Sequence, residues 1–204
     1  MSKNKKEKNN LKDKRIKIIL LGEAGVGKTN LINVFFNKKF NAQSETTSVP
    51  EFLQKTITIE NNNYTLDVWD TAGQEKFSSV TKIFVKGAHI VIFVYDITKE
   101  ETFQKLPFWV KMVDELLWEN STYGLAANKI DLFLKEKVTN QAGIKYAKEI
   151  DAEFRETSAK EDAKGFQDFI LTLINKVIEK NKNLKIGEQR LSVNIGSKSK
   201  SNCC

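Results

Sequence analysis

Residues 16 to 36 read Ile16-Lys17-Ile18-Ile19-Leu20-Leu21-Gly22-Glu23-Ala24-Gly25-Val26-Gly27-Lys28-Thr29-Asn30-Leu31-Ile32-Asn33-Val34-Phe35-Phe36. The apolar run at 16–21 has the length and composition of a buried strand, and Leu31 to Phe36 has a helical pattern. Between them lies Gly-x-x-x-x-Gly-Lys-Thr, in the strand–loop–helix setting this motif requires. Its glycines let successive backbone N–H groups of Ala24, Gly25, Val26, Gly27, Lys28, Thr29 and Asn30 converge on one phosphate cluster, helped by the helix N-terminus. The Lys28 side chain reaches the outer phosphates, and the Thr29 hydroxyl holds a Mg²⁺ ion. The loop therefore predicts a nucleotide-binding α/β protein.

The rest of the chain repeats this alternation. Further strand-like runs occur at 56–59, 65–69, 90–95, 123–127 and 153–157, with helical patterns near 76–86, 101–119, 140–149 and 165–181. The Asn61-Asn62-Asn63 cluster predicts a hairpin turn. Such an order gives a phosphate-loop α/β fold, with a mostly parallel six-stranded sheet and helices on both faces. Ligands of such sheets sit at the carboxyl ends of the strands, and each motif below falls at one.

Asp70-Thr71-Ala72-Gly73-Gln74-Glu75 follows the third strand. Asp70, opposite Thr29, is placed to bind Mg²⁺ through water, since Mg²⁺ keeps part of its hydration shell. Gly73 brings a backbone N–H to a γ-phosphate, and Gln74 orients the attacking water. Asn128-Lys129-Ile130-Asp131 ends the fifth strand, and Ser158-Ala159-Lys160 follows the sixth. The Asp131 carboxylate accepts from both donors on the guanine edge, whereas adenine would leave it unpaired at a cost of several kcal/mol. The Ala159 N–H donates to the guanine oxygen.

Charge and length bound the alternatives. The chain has 204 residues and a net charge of +7. Residues 1–15 carry seven lysines and arginines and two acids, residues 181–204 five and one, so the body at 16–180 is left with −2. The basicity belongs to the tails, which argues against nucleic acid as a partner and allows only a weak attraction to anionic membrane. No apolar stretch approaches the ~20 residues of a membrane span, and the lysine-rich start has no secretory core. The two cysteines are the last two residues, Cys203 and Cys204, so no disulfide staples the body. His89, the single histidine, lies far from every motif and is expected to be structural.

Together, Gly-x-x-x-x-Gly-Lys-Thr, Trp69-Asp70-Thr71-Ala72-Gly73-Gln74-Glu75, Asn-Lys-x-Asp and Ser-Ala-Lys resemble the signature of the Ras-superfamily small GTPases. Glu75-Lys76-Phe77, Lys86-Gly87-Ala88, Tyr95-Asp96-Ile97-Thr98 and the terminal Cys-Cys resemble the Rab branch in particular. The resemblance implies three segments: a basic arm at 1–13, a GTPase domain at 14–181, and a disordered tail at 182–204. It implies a membrane-anchored GTP/GDP switch with Mg²⁺, slow intrinsic hydrolysis, and a role in vesicle-mediated transport.

Residue by residue, the family pattern assigns nucleotide contacts to Ala24 through Asn30, Phe40, Thr47, Gly73, Asn128, Lys129, Asp131, Ser158, Ala159 and Lys160. It assigns Mg²⁺ to Thr29, Thr47 and Asp70, and catalysis to Gln74. Phe52, Trp69 and Phe84 match the aromatic triad of the effector surface, and Cys203 and Cys204 match a doubly geranylgeranylated end. Implied partners are an exchange factor, a GTPase-activating protein, a prenylation escort, a GDP-dissociation inhibitor and effectors. The implied location is the cytoplasmic face of endomembranes, with a cytosolic pool. One departure stands out: Thr47 is followed by Ser48-Val49-Pro50 where Rab proteins carry Ile-Gly-Val. It opens a second reading, a scaffold that binds nucleotide but barely cycles. Asp131 opposes a third, ATP-dependent phosphoryl transfer.

Overall fold

A computed structural model describes residues 14–43, 47, 50–71, 78–116 and 121–195, the side chains of 78–81 and 182–195 excepted. In chain order the elements are β1 (Arg15–Leu21), α1 (Lys28–Phe35), β2 (Glu51–Ile59), β3 (Asn62–Asp70), α2 (Ser78–Val85), β4 (Ile90–Asp96), α3 (Glu100–Gln104), α4 (Leu106–Asp114), β5 (Thr122–Asn128), a 3₁₀ turn (Ile130–Lys135), α5 (Asn140–Glu149), β6 (Ala152–Thr157) and α6 (Ala163–Ile195). One six-stranded sheet has the order β2-β3-β1-β4-β5-β6, with β2 antiparallel to β3 and every other pair parallel. This is the expected fold.

Burial explains the strand positions. β4 is buried along its whole length on both faces, as an unbroken apolar run at the sheet centre must be. β2 alternates between exposed and half-buried, as fits an edge strand with one face on solvent. Alternating side chains of the central strands feed two cores. Ile18, Leu20, Ile92 and Val94 join α1 and α6 through Leu31, Phe35, Phe169 and Leu173. Ile19, Leu21, Val91 and Phe93 join α4 and α5 through Trp109, Val113 and Ala147.

The structure differs from the sequence pattern in four places. β2 begins at Glu51 rather than 56, directly after Pro50, and pairs Phe52 with Trp69. The hairpin turns at Glu60 and Asn61, both with positive φ (46° and 61°), so Asn62 and Asn63 already belong to β3. The single helix expected at 101–119 is broken between α3 and α4. Pro107, in the first turn of α4, lacks the N–H that a continuous helix would need there. Finally, α6 extends to Ile195.

Candidate nucleotide site

The phosphate loop links the buried end of β1 to α1 along a path that only glycine permits at two points. Gly22 has φ +146°, and a Cβ there would lie 2.1 Å from the Val94 carbonyl oxygen. Gly27 has φ +101°, and a Cβ would lie 2.4 Å from Asn128 Nδ2. Any side chain at either position would push the loop off β4 or β5. Lys28, the first residue of α1, is 5% exposed, and its Nζ donates to the carbonyls of Gly22 (2.8 Å) and Glu23 (2.9 Å). Burial pulls its ammonium down to about 8, against the raising effect of Asp70 and Glu23. The Glu23 carboxylate is itself held by the buried Trp109 indole N–H at 3.0 Å.

Across the cavity, the base-side loop is bonded directly to the phosphate loop. Asn128 Nδ2 donates to the Val26 carbonyl at 2.8 Å, and its Oδ1 accepts from Thr157 Oγ1 at 3.2 Å. Lys129 Nζ donates to the Gly25 carbonyl at 2.7 Å. Asp131 Oδ1 accepts from Ser158 Oγ at 2.7 Å, and Ser158 Oγ in turn accepts the N–H groups of Lys160 and Glu161. Ser158 thus fixes both the carboxylate and the turn carrying Ala159. Asn30 exchanges two 3.0 Å bonds with the backbone of Asn41, which fixes the segment after Phe40.

These loops enclose a cavity of about 260 Å³. The expected residues Ala24, Gly25, Gly27, Lys28, Thr29, Asn30, Phe40, Thr47, Asn128, Lys129, Asp131, Ala159 and Lys160 all line it. Val26 and Ser158 stand behind the wall, acting through a carbonyl and a hydroxyl. Ala42, Thr71 and Leu132 also line the cavity and were not foreseen. Leu132 adjoins Asp131, so an apolar side chain immediately after the acid of Asn-Lys-x-Asp was the available signal.

Thr29 Oγ1 lies 2.7 Å from Thr47 Oγ1. Beside them Asp70 is 2% exposed, and its Oδ1 has no hydrogen-bond partner among the described residues. Burial pushes the Asp70 carboxyl up, while hydrogen bonds from the Thr29 and Thr47 hydroxyls and the Lys28 charge pull it back. No group of three His, Cys, Asp or Glu suited to a metal occurs among the described residues. A cation here would instead find two hydroxyls and one unsatisfied carboxylate oxygen. That hard, sparse oxygen set suits Mg²⁺, which retains several waters. Gly73 and Gln74 lie outside the described residues.

The aromatic triad forms a continuous stack. Phe52 and Trp69 are 4.8 Å apart at 43°, and Trp69 and Phe84 are 4.8 Å apart at 38°. Phe52 is 43% exposed, and Trp69 and Phe84 cap one core from outside. The stack is a surface feature rooted in the core. His89 is structural, its Nδ1 accepting the Lys17 backbone N–H at 3.0 Å. Burial, then the Lys17 charge, holds its imidazole below the usual value.

A phosphate cradle between β1 and α1, facing an Asp-bearing loop at the end of β5, defines a phosphate-loop nucleotide-binding domain. The Ras family model matches residues 17–179. The chain is 39% identical over 199 residues to the Ras-related protein SEC4 of Saccharomyces cerevisiae, covering 94% of this chain and 92% of that one. It is 37% identical over 169 residues to human Ras-related protein Rab-12, covering 82% and 69%, and 39% identical over 163 residues to dog Ras-related protein Rab-21, covering 80% and 73%. The chain belongs to the Ras family, as a Rab-type small GTPase. It is a GTP-hydrolysing switch of vesicle transport, and works with regulators and effectors as that family does.

Proposed function

We propose that the chain binds GTP and GDP with Mg²⁺ in the cavity between the phosphate loop and Asp131, and hydrolyses GTP slowly to switch effector binding. The observation that carries this reading is the cluster of Thr29, Thr47 and the unsatisfied Asp70 oxygen next to Lys28. Bound Mg²⁺ would be held by Thr29, Thr47 and Asp70 and would neutralise phosphate charge. The loop amides and Lys28 grip the phosphates. Phe40 packs on the base, and Asp131 with the Ala159 N–H reads it as guanine. Gln74 orients the attacking water, and Gly73 and Thr47 contact the γ-phosphate, so its loss frees both segments.

Phe52, Trp69 and Phe84 present the GTP-dependent state to effectors. An exchange factor and a GTPase-activating protein set the two halves of the cycle. Cys203 and Cys204 carry two geranylgeranyl groups added through an escort, because one lipid gives only marginal anchoring. A GDP-dissociation inhibitor maintains a cytosolic pool beside the form on the cytoplasmic face of endomembranes. The basic arm is 1–13, the GTPase domain 14–181 and the hypervariable tail 182–204. Among the described residues no helix is long and apolar enough to cross a membrane.

Single-turnover hydrolysis with Mg²⁺ tests this. Intrinsic turnover on the order of 10⁻⁴ to 10⁻³ per second is expected, slowed clearly by Gln74→Leu. Tight GTP binding without turnover in either protein would favour the scaffold reading raised by Ser48-Val49-Pro50.

A further inference from the structure

Asp96 ends β4 and lies opposite Asn128, the end of β5, in the parallel register. Both are 1% exposed. Asn128 works for the phosphate loop through Val26. The nucleotide contacts above use nothing of Asp96, yet its carboxylate is engaged on both oxygens, one by hydrogen bonds and one by an ion pair. Asp96 Oδ1 accepts the Thr98 backbone N–H at 2.9 Å and the Thr98 hydroxyl at 2.7 Å. Asp96 Oδ2 has no hydrogen-bond partner among the described residues; it is held by charge alone, in an ion pair with the Lys129 ammonium at 2.6 Å. That same ammonium is the one donating to Gly25 in the phosphate loop.

The backbone on either side is pinned as well. The Asp96 N–H donates to the buried Thr102 hydroxyl at 3.0 Å, and the Ile97 N–H donates to the Asn128 carbonyl at 3.1 Å. Lys129 itself has φ +70°, a left-handed conformation that a lysine adopts only when its surroundings impose it. A four-carbon side chain loses substantial rotamer freedom when held in one pose. Something must offset that loss, and a buried carboxylate at 2.6 Å does so.

We propose that Asp96 is a positioning residue for bound nucleotide: it clamps Lys129 across the cavity wall and so keeps the phosphate loop closed on its ligand. The inference rests on the nucleotide reading of the site. Asp96 touches no ligand; it sets how long one stays by holding the lysine that ties the base-side loop to the phosphate loop. Thr98 is the back of the clamp, fixing the carboxylate from its far side.

The full-length protein is loaded with a fluorescent N-methylanthraniloyl GDP, and release is followed on adding excess GDP. Wild type, Asp96→Asn, Lys129→Met and the double variant are compared. Asp96→Asn keeps the shape and removes the charge. It should speed release about tenfold, the scale of a lost hydrogen bond to a charged group. In the Lys129→Met background the same substitution should add less than about twofold, because the clamp then has nothing to hold. A merely structural role would instead multiply the two effects. Thr98→Val should speed release more mildly and be silent beside Lys129→Met, which keeps the inference testable if Asp96→Asn fails to fold. Unchanged release in Asp96→Asn, or multiplying effects, overturns the proposal. A wild-type protein that retains no labelled GDP overturns the nucleotide reading itself, a result distinct from either.

Discussion

The two walls of the cavity are built differently. The base-side wall is closed by the protein's own bonds: Asn128 to Val26, Lys129 to Gly25, Asp131 to Ser158, and the backbone of Lys160 and Glu161 to Ser158. The wall around Thr47 has a contact between two hydroxyls and a buried carboxylate oxygen with no hydrogen-bond partner among the described residues. Polar atoms in the first wall are largely satisfied before any ligand arrives. Those in the second include one oxygen that no described residue satisfies. In the proposed function, a base-side wall bonded in advance beside a phosphate-side wall completed by ligand lets one site hold both GDP and GTP and still tell them apart.

The largest test of the contrast is to break the rigid wall. Asp131→Ala should weaken GDP binding by about a hundredfold or more and erase most preference over ADP, since two charge-assisted bonds are lost. Competition of labelled GDP with GDP and ADP measures both effects. Thr47→Ala attacks the other wall. GDP release should stay within about threefold of wild type, while single-turnover GTP hydrolysis should fall by about tenfold, the weight of the hydroxyl's hold on Mg²⁺ in the GTP-bound state. Equal effects on both readouts would erase the distinction between the walls.

Acidity sharpens it further. Lys28 is buried with its ammonium lowered to about 8, and phosphate binding requires the charged form. Affinity for GDP should therefore be flat below pH 8 and fall by up to about tenfold per pH unit above it, as the free protein surrenders that proton. Titration of binding between pH 7 and 9.5 checks this. The smallest effect lies away from the site, at His89, whose imidazole is held below its ordinary value of 6.5. The unfolded chain then takes up the proton first as pH falls through 6.5. Stability should drop slightly over that step, and denaturant melts of His89→Gln should lack the drop.

The phosphate loop and the alternation of strands and helices with one antiparallel hairpin were legible because each depends on residues close together in sequence. Gly27, Lys28 and Thr29 announce their own geometry. The break before α4 was also written in the chain, as Pro107, but a strong apolar period across 101–119 concealed it. The early start of β2 was hidden because its first half carries Glu51, Gln54 and Lys55, the last half-buried with its ammonium over the Phe35 ring, and such residues carry little strand signal. The bond between Asp96 and Lys129 could not be read at all. It exists only because β4 and β5 are neighbours in register, a fact of the folded sheet.

The Asn128–Val26 bond spans 102 residues, and the Lys129–Gly25 bond spans 104. A ribosome adding roughly 5–20 residues per second therefore releases the phosphate loop some 5–20 s before the residues that close it exist. During synthesis β1 and α1 exist before the residues that bond to the loop between them. Those two bonds can therefore form only after the central sheet has been built as far as β5, and the Asp131–Ser158 bond only after β6.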